Sequence, residues 1–168
     1  MKNNSKQIEN ANARRANYRD DGRNGRAFEI LCSRAGSKKN EVAAQNADDC
    51  KVKCIVNGKV KYIAAECKTN GGRIEKQIRA LQNGHDTLFI YALDICNKGT
   101  NNLRRRVKPR IGYFSEFLAI CEECGALKST NGKNPEIAIQ ATSKKLYIAL
   151  DGYGVPFDNE MTIEVEAL

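Results

Sequence analysis

Asp49, Glu66 and Lys68 are the residues whose types and spacing could do chemistry together. The stretch between them reads as a strand, an Asn57-Gly58 turn and a second strand ending in Glu66-Cys67-Lys68. Asn-Gly between two alternating apolar runs signals a two-residue hairpin loop. Residues equidistant from that loop face each other, so Asp49 falls opposite Glu66, with Cβ atoms roughly 5 Å apart. Strand side chains alternate, which puts Lys68 on the face of Glu66. Two carboxylates and one ammonium then converge at the open end of one hairpin. Opposed carboxylates repel, whereas a hard cation such as Mg²⁺ binds through one or two carboxylates plus phosphate oxygens. A neighbouring lysine can hold a phosphate as a point charge, or position or deprotonate a water. These residue types suit metal-assisted cleavage of a phosphodiester. They also suit a solvated hairpin with a charged end, and spacing alone leaves both readings open.

Asp49, the hairpin and Glu66-Cys67-Lys68 resemble the PD-(D/E)XK nuclease superfamily. That resemblance implies an αβββαβ core, with the aspartate opening the second strand and the (D/E)xK on the third. Gly25 to Leu31 resembles the first helix of that core, where Glu29 fits the place of a further acidic residue. Arg73 to Ile78 resembles the helix after the motif, and Asp86 to Leu93 the next strand. The match runs over residues 24–95. The sequence departs from the family pattern in carrying Ala47 where a proline is usual, and in offering Asp48 as a rival aspartate. Asp48 would pair with Cys67 and face the other way unless a bulge shifts the register, so Asp49 is preferred. The resemblance implies that Asp49 and Glu66, with the backbone carbonyl of Cys67, bind Mg²⁺ or Mn²⁺. It further implies that Glu29 orients a water or a second ion, that Lys68 orients or activates the attacking water, and that products carry 5′-phosphates. The expected activity is a restriction-type or phage-associated DNA endonuclease, with a Holliday-junction resolvase as the alternative. A non-catalytic nucleic-acid binder of nuclease-like fold and a protein-inhibitor module are the readings outside enzymology.

The rest of the composition agrees with a polyanionic partner. The chain has 168 residues, 41% of them hydrophobic, and a formal net charge of +8. That is one domain by size, globular rather than disordered, and basic enough to favour nucleic acid. A polar, basic arm is expected over residues 1–22, with Arg14, Arg15 and Arg19 available to phosphates, and a single domain over 23–168. The densest basic cluster is Arg104, Arg105, Arg106, Lys108 and Arg110. Arginine forks match phosphate geometry, so these residues, with Arg73 and Lys76, are expected to clamp a duplex or branched DNA backbone. Cutting both strands of a duplex would call for a homodimer.

Other chemistries lack residues. His85 is the single histidine, which leaves little for a Ser-His-Asp, Cys-His or HNH arrangement; it reads as a turn or strand-cap residue. No GxxxxGK[ST] and no GxGxxG between a strand and a helix is present. The seven cysteines are expected as free thiols in a reducing cytosol, because their number is odd and Met1 opens a polar stretch rather than a signal segment. Cys32, Cys54, Cys67 and Cys96 read as core fillers. Cys121-Glu122-Glu123-Cys124 is one CxxC without a second pair, so zinc is not expected and the motif reads as helix surface. No apolar run is long enough to span a membrane.

The fold expected is α/β (α+β), a central mixed sheet flanked by helices, with a C-terminal helix and hairpin. The pattern predicts a helix over 24–34, a Lys-rich loop over 37–40, a short strand over 41–45, and the hairpin 50–56 and 60–68. A helix over 73–82 stopped by Asn83-Gly84 and a buried strand over 86–95 follow. Then come a basic loop over 97–110 and a helix over 112–124 with Phe114, Phe117, Leu118 and Cys121 on one stripe, ended by Gly125. A closing hairpin over 136–141 and 145–150 and an edge strand over 161–165 complete the chain. In the first hairpin, Val52, Cys54, Val56, Ile63, Ala65 and Cys67 form the core face. Asp49, Lys51, Lys53, Tyr62, Glu66 and Lys68 form the polar, substrate-facing one.

Overall fold

The structure, a computed structural model, describes residues 28, 32, 50–96 and 103–166, without the side chains of 94–96 and 103–106. The expected strand over 41–45, the N-terminal arm, Asp48, Asp49 and Glu29 lie outside the described residues. Phe28 and Cys32, from the helix expected over 24–34, are helical and buried.

The chain folds as mixed α+β. Strand β1 (Cys50–Val56) and strand β2 (Lys59–Thr69) form the expected antiparallel hairpin, with Cys50 opposite Ala65 and Val56 opposite Lys59. Asn57 and Gly58 have φ of 51° and 73°, the left-handed pair that a tight two-residue turn requires and that Asn-Gly supplies cheaply. Helix α1 (Glu75–Gln82) crosses from β2 to strand β3 (Leu88–Cys96), which pairs with β2 in parallel from Ala65–Leu88 to Thr69–Ala92. Asn83 caps α1, and Gly84 at φ 83° turns the chain away.

The predicted basic loop is instead strand β4 (Leu103–Tyr113), antiparallel to β3. The arginines and lysines hid it from a reading based on apolar runs. The buried β3 requires a partner on that side, and a charged strand suits a sheet margin. Between the pairs Tyr91–Arg110 and Leu93–Val107, two residues of β4 face one of β3. This β-bulge falls at Lys108-Pro109, where proline has no N–H to give the ladder.

Helix α2 (Phe114–Glu123) follows directly and ends at Gly125, with φ 62°. Strands β5 (Leu127–Ser129) and β6 (Ile137–Ile139) make a separate antiparallel pair. Helix α3 (Lys144–Ala149) replaces the second half of the expected closing hairpin. The Ser143 hydroxyl caps it by accepting from the Leu146 N–H. Among the described residues, strands β7 (Val155–Pro156) and β8 (Thr162–Glu164) complete a six-stranded sheet in the order β7-β4-β3-β2-β1-β8. The expected C-terminal edge strand is β8, parallel to β1.

Two cores sandwich the sheet. On its first face Val52, Cys54, Cys67, Ile90 and Ile111 pack with Phe28 and Cys32. On its second face Phe89, Tyr91 and Leu93 lie under Phe114, Phe117 and Cys121 of α2, Leu146 of α3, and Tyr153. Cys121 is thus core rather than helix surface, and burial pushes its thiol up to about 12. Gly154, at φ 49°, touches the β4 backbone so closely that a Cβ would collide with the Ile111 carbonyl oxygen. Among the described residues no helix is long and apolar enough to cross a membrane.

Candidate active site

Glu66 lies in the last third of β2, beside Phe89 of β3, with its side chain on the second face of the sheet. Ala64 and Lys68 share that face by alternation. Glu66 is only 7% exposed, which is rare for a carboxylate without partners. Its partners come largely from α1. Gln77 Nε2 donates to Glu66 Oε2 at 3.0 Å, and Lys76 Nζ to Oε1 at 3.4 Å. Lys68 Nζ stands 3.9 Å from Oε2. One buried carboxylate is therefore held by an amide and flanked by two ammonium groups, one half-buried and one exposed.

The helix position explains the grip. Ile74, Ile78 and Leu81 turn the apolar stripe of α1 toward the second core. Gln77 occupies a place on that stripe and is 3% exposed. Its Nε2 meets Glu66, while its Oε1 is buried without a hydrogen-bond partner among the described residues. An unsatisfied buried acceptor costs about 1–3 kcal/mol. Sequence reading passed over Gln77; the available signal was a polar residue on an apolar helical stripe. Lys76 was read as a phosphate contact, and the structure gives it an ion pair with Glu66.

The polar hairpin face is only partly as expected. Lys51 and Tyr62 are exposed and Lys53 is half-exposed, but Glu66 is buried where α1 covers the end of β2. Cys67 points to the other face, its Sγ 3.5 Å from Cys50 Sγ. It could offer a metal no more than its backbone carbonyl. The described hairpin register runs from Cys50 opposite Ala65 to Val56 opposite Lys59; Asp49 and Glu29, the other expected acidic residues, lie outside the described residues. Among the described residues no group of three His, Cys, Asp or Glu side chains gathers to hold a metal ion.

The proposed phosphate contacts are dispersed. Arg73 Nη1 bonds Glu136 Oε2 at 2.8 Å and tacks the start of α1 to the β5–β6 unit. Arg110 is a structural lock: Nε donates to the Tyr153 carbonyl at 2.5 Å and Nη2 to the Gly154 carbonyl at 3.0 Å. These two bonds engage part of the guanidinium in holding the 153–154 turn to β4. Lys108 is exposed, and Arg104, Arg105 and Arg106 lie on β4 with side chains outside the described residues. His85 is an exposed turn residue whose N–H returns to the Ala80 carbonyl. No family model, curated protein or solved structure matches the chain.

Proposed function

We propose that this chain is a Mg²⁺- or Mn²⁺-dependent endonuclease that hydrolyses DNA phosphodiesters, built on a restriction-endonuclease-like core. The observation that carries the reading is the buried Glu66 with Lys68 two residues along the same face, at the end of a hairpin that leads through α1 into a parallel strand. The reading is supported by the order hairpin, Glu-x-Lys strand, helix and next strand, which is the order the nuclease resemblance implies.

Glu66, Asp49 and the Cys67 carbonyl would hold the ion, since carboxylate and carbonyl oxygens are the hard donors Mg²⁺ takes. When bound, the ion supplies Lewis acidity to a phosphate oxygen and to a water. Gln77 and Lys76 fix the Glu66 carboxylate in one orientation, as partners of a ligating carboxylate do. Lys68 presents an ammonium beside that carboxylate, where it orients the attacking water and offsets charge growing on the phosphorus centre. Glu29 would orient a water. A single copy of this size spans little duplex, so cutting both strands calls for two copies.

A non-catalytic nucleic-acid binder is the second reading, favoured by the Lys76–Glu66 ion pair, which resembles an ordinary structural contact. The purified chain, incubated with supercoiled and linear DNA with and without Mg²⁺ or Mn²⁺, distinguishes the two. The endonuclease reading expects cleavage that needs metal and falls at least about a hundredfold in Glu66→Gln and in Lys68→Ala. Cleavage that persists in both variants, or none by wild type on linear, supercoiled, branched or single-stranded DNA, overturns it.

A further inference from the structure

Among the described residues, the second face of the sheet is covered over β3, β4 and the end of β2, and is exposed over β1 and the outer half of β2. Lys51, Lys53 and Ile55 of β1 and Val60, Tyr62 and Ala64 of β2 share that open half. Val60 is 56% exposed and Tyr62 59%, although both types are usually withdrawn from water. Pairing of β2 with β3 begins only at Ala65, so the outer half of β2 runs past the helical cover as a shelf. Lys53 stands directly across from Tyr62, and Ile55 across from Val60. Following the face along β2 leads from Val60 through Tyr62 and Ala64 to Glu66 and Lys68.

We propose that this shelf binds an unpaired stretch of nucleic-acid strand and feeds it to Glu66 and Lys68. The identity of the polymer rests on the hydrolase reading above; the chemistry of the shelf is its own. Exposed aromatic side chains flanked by cations bind single strands by stacking bases and holding phosphates. Tyr62 with Lys53 opposite and Lys51 two residues beyond supplies both parts. A duplex keeps its base faces stacked on one another and leaves nothing for Tyr62 and Val60 to cover. Glu164 of β8, beside Ile55 on the same face, is the one carboxylate there among the described residues. It lies on the turn side of the shelf, away from Glu66, and leaves Lys51 and Lys53 as the charged side chains that flank Tyr62 and Ala64 among the described residues.

The test is binding of a fluorescein-labelled oligothymidylate of about fifteen nucleotides, and of its hybrid with oligoadenylate, by the full chain in EDTA, where metal-dependent cleavage cannot occur. The proposal expects the single strand to bind more tightly than the hybrid. Tyr62→Ala weakens single-strand binding by roughly five- to a hundredfold, while Tyr62→Phe retains it. Lys51→Ala with Lys53→Ala lowers the slope of log affinity against log salt by about 1.4. All these positions are at least partly exposed, and an unchanged unfolding midpoint keeps the comparison clean. Unchanged single-strand affinity in Tyr62→Ala, preference for the hybrid, no binding at all, or self-association through this face that Tyr62→Ala abolishes each overturns the proposal. If the shelf binds but wild type never cleaves, the hydrolase falls and the shelf stands; if wild type cleaves and Tyr62→Ala binds normally, the shelf falls and the hydrolase stands.

Discussion

Two halves of one sheet face behave oppositely. Over β3 and β4, Phe89, Tyr91 and Leu93 are fully buried, and Phe117 of α2 sits among Phe89, Tyr91 and Tyr153 at ring separations of 4.8, 4.7 and 5.3 Å. Over β1 and β2 the same face carries two lysines, and an exposed tyrosine and valine. Both halves have strand-forming residues and aromatic content. What differs is that β4 leads directly into α2, which folds back over β3 and β4, while no described helix returns over β1. Glu66 lies on the line between the halves, buried with Gln77 and Lys76 of α1 on one side and Lys68 on the other. The comparison teaches that the cover is positional, set by where helices attach, rather than by hydrophobicity of the strands alone.

Several substitutions break or sharpen that contrast. Phe117→Ala should do most damage, about 3–5 kcal/mol in urea unfolding, because it empties the centre of the covered half. Alkaline pH should attack the same half. Burial raises Cys121 to about 12 and holds Tyr91 and Tyr153 above the ordinary tyrosine range. A thiol or phenol that keeps its proton in the folded state and loses it more easily in the unfolded one stabilises fully below the unfolded value. That stability drains as pH rises, for Cys121 between about 9 and about 12. The Cys121 contribution is on the order of 4 kcal/mol, and a Cys121→Val variant measured across this window should lose less stability than wild type.

At the boundary, Gln77→Ala strips Glu66 of its amide donor and should cost about 1–3 kcal/mol. It should also lower the proposed cleavage even after unfolded protein is discounted by circular dichroism. On the open half, Tyr62→Ala should move the unfolding free energy by less than about 0.5 kcal/mol. A large stability loss there would show that the shelf is covered in solution, and would remove the contrast.

Local rules explain what the sequence disclosed. Asn57-Gly58 specified a turn, and with it the register and faces of β1 and β2. The stripe Phe114, Phe117, Cys121 marked α2, since each of these is buried. Errors occurred where a long-range partner overrides local composition. Residues 103–113 are too basic to read as a strand, and become one because β3 requires hydrogen-bonding on that side. The run Lys145 to Leu150 is short and apolar, a pattern that fits strand or helix equally; the Ser143 cap decides for helix. At the site, Glu66 and Lys68 were visible from strand alternation. Gln77 was not, because its role depends on which side of α1 docks on β2, and that is set by contacts of Ile74, Ile78 and Leu81 with the second core.

The parallel pairing of β8 with β1 has a kinetic consequence. Its register joins Lys53 to Thr162 and Ile55 to Glu164, residues more than a hundred positions apart. The β1–β2 hairpin needs only a two-residue loop, and such hairpins close in about 1–10 μs. The β8 ladder must wait until nearly the whole intervening chain is compact, because closing so long a loop is entropically unfavourable before other contacts shorten it. Until then β1 presents a bare outer edge and Ile163 and Val165 have nothing to cover. Any chain in which the hairpin has formed before β8 docks leaves that edge bare, and self-association during refolding should rise with protein concentration through it.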